Sequence, residues 1–396
     1  MNAPASSGTG LFGPAILAAM RLLGQIRVAA IVALGGVLGA CVLAQKPGGK
    51  APALSWTMQE SGTTAGLRGI YSVDGKVAWA SGTEGTVLRT VDGGAHWAKC
   101  AVPDGDKDGA TLDFRGVQAW DEKTAVVMAS GPGEKSRLYK TVDGCRSWEL
   151  LLKNEKKDGF WDALRMWDQK DGFLAGDPES NPDLDDPTSK RLYLSEFTSW
   201  NGFSDDSTLY STRAKSGESA FAASNSSITL APFRTKEGES REVWFATGGS
   251  SGSRVINFQH FNGGEPEREV VTVVDVPTFP RSESSGIFSI ALKNEISLIV
   301  VGGDYTKPNE SVSTAAWTSD GGRTWTAARR PPHGYRSSVA WSDELKAWIA
   351  AGTNGSDISR DDGKTWASLD DGNWNALSLP FVVGPKGRIG KLGTRE

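Results

Sequence analysis

The sequence predicts an all-β protein, a seven-bladed β-propeller closed by strands from the two ends of the chain. Three observations predict it. A unit of about 45 residues recurs seven times, each unit holds an apolar run that ends near glycine, and several units carry a turn of the form S/T-x-D-G-G-x-x-W. A four-stranded unit of this size buries its faces only by stacking on neighbours, so the repeats must close on one another.

The chain begins with a segment that does not belong to this pattern. Val28 to Ala44 carries no charged or hydroxyl side chain and follows Arg21 and Arg27, the arrangement of a secretion signal. Seventeen residues broken by Gly35, Gly36 and Gly39 suit a removable signal better than a permanent membrane span. Residues 1–44 are therefore expected to be a signal peptide. Leu38-Gly39-Ala40-Cys41 resembles a lipoprotein cleavage box, with Cys41 as the lipidated residue; cleavage after Ala44 is the alternative. The 19 residues before Met20 carry no charge, which makes Met20 an alternative start. Residues 45–52 read as a Gly/Pro/Lys linker and 53–396 as the single propeller.

Each blade opens with a short strand-like tetrad: Leu67-Arg68-Gly69-Ile70, Phe114-Arg115-Gly116-Val117, Phe160-Trp161-Asp162-Ala163, Ser219-Ala220-Phe221-Ala222, Ile287-Phe288-Ser289-Ile290, Tyr335-Arg336-Ser337-Ser338 and Trp374-Asn375-Ala376-Leu377. A second run, such as VAWASG at 77–82 or LIVVGGD at 298–304, has the continuous apolar character of a strand buried on both faces. A third strand leads into the turns that end at Trp97, Trp148, Trp325 and Trp366, with a worn copy at Trp200. In these turns Asp92, Asp143, Asp320 and Asp361 are expected to accept backbone N–H bonds, glycine supplies positive φ, and tryptophan fills the gap to the next sheet. The last blade has room for three strands only. Ser55-Trp56-Thr57-Met58 matches the residues after the other turn tryptophans and is expected to supply the fourth.

The repeated turn resembles the Asp-box, or bacterial neuraminidase repeat. From Trp56 to Leu392 the chain is similar to bacterial proteins related to the photosystem II stability/assembly factor family, notably in FWDALRMWDQKDGFLAGD, SSGIFSIAL, VVGGDYTKPN and VVGPKGRIGKL. That resemblance implies a propeller that binds or chaperones a protein partner, with no catalytic residues to carry over. A sialidase-like or carbohydrate-binding propeller is the rival reading.

Composition narrows the partner. With 43 basic and 47 acidic residues the net charge is -4, so nucleic acid is not an expected partner. Three scattered histidines, His96, His260 and His333, suggest neither a metal cluster nor a serine triad, and no phosphate-cradling glycine loop occurs. No Arg-Ile-Pro stretch of a sialidase is present. The run Asp104-Gly105-Asp106-Lys107-Asp108-Gly109 opens like a calcium loop, but Arg115 stands where the bidentate glutamate belongs. A solvated turn is expected there, and an exposed loop over the acidic insert 177–186. No metal, cofactor or catalytic residue is expected, and a monomer is.

Two further expectations concern specific side chains. Cys100 and Cys145 fall on neighbouring blades in a chain read as exported, so a disulfide is expected, two separate buried thiols being the alternative. Loops between second and third strands and between blades share the face opposite the turns. Projecting the repeats there gathers Trp161, Asp162, Asp177, Glu218, Asp304, Tyr305, Arg336, Asn354 and Asp357 into one expected binding mouth, in which Asp304 and Arg336 are replaceable without loss of the fold.

Overall fold

The structure is a computed structural model that describes residues 54–180, 189–198, 212–235, 238–261 and 268–394. The signal, Cys41, the linker, the turn at Trp200 and most of the acidic insert lie outside the described residues. Seven antiparallel sheets make up seven blades. Blade 1 runs Leu67–Ser72, Ala78–Gly82, Val87–Thr90 and Ala98–Lys99, and blade 2 Phe114–Ala119, Ala125–Ala129, Arg137–Thr141 and Glu149–Lys153. Blade 3 shows Trp161–Met166, Asp171–Ser180 and Lys190–Thr198; blade 4 shows Ile228–Thr235, Gly238–Ala246, Ser253–Phe261 and Arg268–Val276. Blade 5 is Ser285–Leu292, Leu298–Asp304, Ala315–Thr318 and Thr326–Ala327; blade 6 is Ser338–Ser342, Ala347–Gly352, Gly355–Ser359 and Ala367–Asp370.

Blade 7 closes the ring. Its strands Ala376–Ser378, Phe381–Val383 and Ile389–Thr394 are completed by Leu54–Gln59, which pairs antiparallel with the last strand so that Trp56 faces Leu392. The Trp56 ring lies 6.1 Å from that of Trp374, and its indole N–H donates to Ser356 Oγ of blade 6 at 2.9 Å. One short strand therefore removes an open sheet edge and ties two blades together.

Blade 4 departs from the expected register. Its innermost strand is Ile228–Thr235, not 219–222. The reason is apolar alternation: Ile228 and Leu230 reach the cluster of Val243, Phe245, Ile256 and Phe258, whereas the tetrad at 219–222 offers one large side chain, Phe221. That ring instead stacks on Phe288 at 4.0 Å, and its neighbours Glu218–Ser219 form a two-residue strand against Gly248–Gly249. In blade 6 the strand starts at Ser338, three residues after Tyr335, because Arg336 donates its backbone N–H to Gly302 of blade 5.

Among the described residues the core divides into seven apolar clusters, one at each junction between neighbouring blades. The turn tryptophans sit at these junctions: Trp97 meets Phe381 of blade 7 edge-on at 5.7 Å, and Trp366, 2% exposed, joins the blade 5–6 cluster. All four turns share one circuit. In the third, Thr318 Oγ1 donates to Asp320 Oδ1 at 2.7 Å and accepts from Gly322 N at 3.2 Å, while Thr324 donates its N–H and its hydroxyl to the same carboxylate. Asp92, Asp143 and Asp361 repeat it.

The donors facing these carboxylates hold them below the usual range. The Ser147 hydroxyl brings Asp143 down to about 2, and the Thr324 hydroxyl does the same for Asp320. Stability from a lowered acid is fully present above its unfolded value near 4 and is lost as pH falls through the folded value. Asp320→Asn is therefore expected to lower the urea midpoint at pH 6, with the gap to wild type closing between about pH 4 and pH 2. A gap that stays constant across that window would place the effect outside the carboxylate charge.

A disulfide joins Cys100, at the outer end of blade 1, to Cys145 in the blade 2 turn, 45 residues on. Closing a loop of that length contributes on the order of 3–4 kcal/mol.

Candidate functional site

A β-bulge puts one extra residue into a strand and re-aims its side chain. The innermost strands of blades 1, 2, 3 and 5 each carry one, at Arg68, Arg115, Asp162 and Phe288, where the pairing register skips. All four side chains line a pit on the propeller axis, about 390 Å³ in volume, to which every blade contributes. The glycine after the first bulge is needed for this approach. A Cβ on Gly69 would stand 2.9 Å from the Arg115 carbonyl oxygen of the next blade.

The pit has two halves. Blades 1 to 3 supply charge. Arg115 Nε donates to Asp113 Oδ2 at 2.8 Å and its Nη1 to the Ala222 carbonyl at 3.2 Å; Arg68 Nε lies 3.9 Å from the other oxygen of Asp113. Asp162 is 2% exposed, and its Oδ2 has no hydrogen-bond partner. Burial first and the neighbouring Asp177 second raise its carboxyl well above the usual range, with Arg115 opposing. Burial also raises Asp177, whose Oδ1 accepts from Ala220 N at 3.0 Å. Blades 4 to 6 supply aromatic surface: Phe221 is stacked on Phe288, and Tyr335 stands edge-on to Phe288 at 4.8 Å. Burial pushes the Tyr335 hydroxyl far up, so it stays neutral.

Of the expected mouth, Asp162, Asp177 and Tyr305 meet in this pit. The other six residues serve elsewhere. Trp161, 3% exposed, is part of the blade 2–3 core. Glu218 is buried with Arg254, whose Nε donates to it at 2.8 Å while Thr247 Oγ1 donates at 2.6 Å. Asp304 caps its own turn, accepting from Ser284 Oγ at 2.8 Å and Thr306 N at 3.0 Å. Arg336, Asn354 and Asp357 form one internal network. Arg336 is fully buried, its Nε donates to Asp357 Oδ2 at 2.7 Å, and its Nη1 donates to Asn354 Oδ1. His333 Nδ1 closes the network 2.8 Å from Asp357 Oδ1. The expectation that Arg336 is replaceable without cost to the fold is thus corrected: its loss would strand a buried carboxylate.

Sequence reasoning misses Arg68, Arg115, Phe160, Phe288 and Tyr335 as pit residues. A partial signal is present in the aligned tetrads, where arginine fills the same column in blades 1, 2 and 6, although in blade 6 Arg336 turns inward to Asp357. The calcium-like run is an ion-paired loop: Arg137 grips Asp108 through two bonds of 2.7 Å, and Tyr139 donates to Asp104 at 2.9 Å. A second groove, about 530 Å³, opens beside Leu230, Leu292 and Ile296. Its cation, Lys293, is already held by Asp362 at 2.7 Å.

No protein-family model and no curated protein sequence matches the chain. Solved structures do. YCF48 bound to a D1 peptide superposes with a TM-score of 0.54 at 16% identity, over 89% of this chain and 100% of that one. YCF48 from Cyanidioschyzon merolae gives 0.52 at 18% identity, over 85% and 98%. The WD40 propeller domain of Doa1 gives 0.50 at 9% identity, over 87% and 98%. At these identities the likeness establishes the propeller fold.

Proposed function

We propose that this chain is an exported, lipid-anchored, non-enzymatic propeller that holds a segment of a protein partner in its axial pit, in an assembly role like that of YCF48. The observation that carries the reading is the set of register skips that turn Arg68, Arg115, Asp162 and Phe288 from four blades into one pit. Half charged and half aromatic, such a surface suits an extended peptide carrying mixed side chains. The YCF48 structure with a D1 peptide supplies a precedent for a propeller of this kind engaging a peptide.

Arg68 gives the cleanest test, since its side chain is 35% exposed and its contact to Asp113 is long. Arg68→Trp, which fills the pit without adding charge, is expected to abolish co-purification of the partner from envelope extracts without changing the melting temperature. Val142→Glu, at an exposed position in a turn on the opposite face, is expected to leave it intact. The reverse pattern would place the binding surface on the turn face.

Export is supported by the signal-like N-terminus and by the Cys100–Cys145 disulfide, a bond that persists in oxidising compartments. Wild-type protein is expected in the membrane fraction and Cys41→Ser in the soluble one. A soluble wild-type protein that begins at Gln45 would refute the anchor.

Two raised carboxyls and two tyrosines in one pit also favour sugar cleavage as a second reading. A sialidase needs a tyrosine nucleophile in contact with a carboxylate. Among the described residues no hydrogen bond links Tyr305 or Tyr335 to one, and Glu218 is committed to Arg254. Fluorogenic sialosides and glucosides are therefore expected to remain uncleaved.

A further inference from the structure

The charged half of the pit is not balanced internally. Its arginines turn to Asp113 and to a backbone carbonyl, while Asp162 and Asp177 have no cation within ion-pair distance among the described residues. Asp162 is the sharper case. It lines the pit at the bulged position, it is 2% exposed, and Oδ2 meets no donor. A buried carboxyl oxygen without a donor calls for a partner, and of the three here, Asp113 Oδ1, Asp162 Oδ2 and Glu179 Oε1, that of Asp162 belongs to a residue lining the pit.

Resting on the reading of the pit as a protein-binding site, we infer that it takes a lysine or arginine side chain of the partner, with Asp162 as counter-ion and Asp177 beside it. The pit volume suits one long side chain. The aromatic wall of Phe288, Tyr305 and Tyr335 would cover its methylenes and face its charge. Asp113 is one carboxylate between two arginines, so an anionic side chain is the competing occupant, which the glutamate peptide below tests. A metal ion is disfavoured because no three His, Cys, Asp or Glu side chains converge among the described residues.

Binding is then coupled to proton release. In the empty pit burial favours a proton on the carboxyl pair, and an incoming cation displaces it. The other charged or titratable groups around the pair are Arg115 and Arg68 from blades 2 and 1, which Asp113 contacts, Lys190 acting on Asp177, and the two tyrosines across the pit. Affinity for a cation therefore rises with pH through the raised carboxyl and levels off above it. A carboxylic acid donating to a peptide carbonyl would give the opposite slope.

The test uses the mature protein and end-blocked Gly-Gly-X-Gly-Gly peptides, titrated by NMR, with X as lysine, arginine, acetyl-lysine, norleucine or glutamate. The lysine and arginine peptides are expected to bind at least about tenfold more tightly than the others, more so at higher pH. Asp162→Asn should bring lysine down to the norleucine level. The acetyl-lysine comparison removes the charge from the ligand instead and holds even if the variant folds poorly. Equal binding of lysine and norleucine, or a preference for glutamate, would overturn the cation assignment and leave the protein-binding reading standing. If no peptide perturbs the pit and Arg68→Trp retains the partner, both fail.

Discussion

Deleting residues 53–60 is expected to lower the melting temperature by at least about 10 °C, whereas deleting residues 1–44 leaves it unchanged. The six residues Leu54–Gln59 pair along their whole length with Ile389–Thr394. Without them the last blade keeps three strands and exposes the polar edge of Ile389–Thr394 to solvent. The loss extends to both neighbours. Trp56 leaves Trp374 and Ser356, and Gln59 no longer accepts from the Trp97 indole of blade 1 at 3.1 Å. Removing a fully buried tryptophan costs about 3–5 kcal/mol, and half-buried Trp56 about half of that, before the lost ladder is counted. Scanning calorimetry on the two truncations decides the matter; equal melting temperatures would end the closure account.

Arg336→Ala is expected to cost about 3–5 kcal/mol, the range for leaving one member of a buried ion pair alone. Arg336 and Asp357 are 0% and 1% exposed, so water cannot replace the missing guanidinium at the carboxylate. Asn354 and His333 would lose their shared partner as well. Replacing both charges at once, with Arg336→Met and Asp357→Leu, is expected to recover most of that loss, because a matched apolar pair carries no desolvation cost. Urea denaturation of the single and double variants measures it. A single variant within about 0.5 kcal/mol of wild type, the ordinary range for a surface change, would show the pair to be solvated.

The two halves of the structure differ in how far they can be read from the chain. Strands buried on both faces are continuous apolar runs, and the D-G turns fix the strand after them, so the blades and the closing strand at Trp56 are legible. Blade 4 is not, because Phe221 imitates an opening strand residue while the true strand starts at Ile228. The pit is legible in part. A one-residue bulge changes which side chain meets the axis without changing the hydrophobic pattern, so Arg68 and Arg115 carry little visible mark. Position in a loop also gives no information about partners. Glu218 with Arg254, and Arg336 with Asp357, stand 36 and 21 residues apart, and only folding brings them together in the interior.

The central claim is that the partner sits at the axial pit. Photo-crosslinking in the source cell tests it most directly, with benzoylphenylalanine in place of Tyr305 at the pit rim or Val142 on the turn face, positions 52% and 66% exposed. The account predicts a discrete crosslinked partner from position 305, absent when Arg68→Trp fills the pit, and none from position 142. A partner captured from position 142 and not from 305 would contradict it.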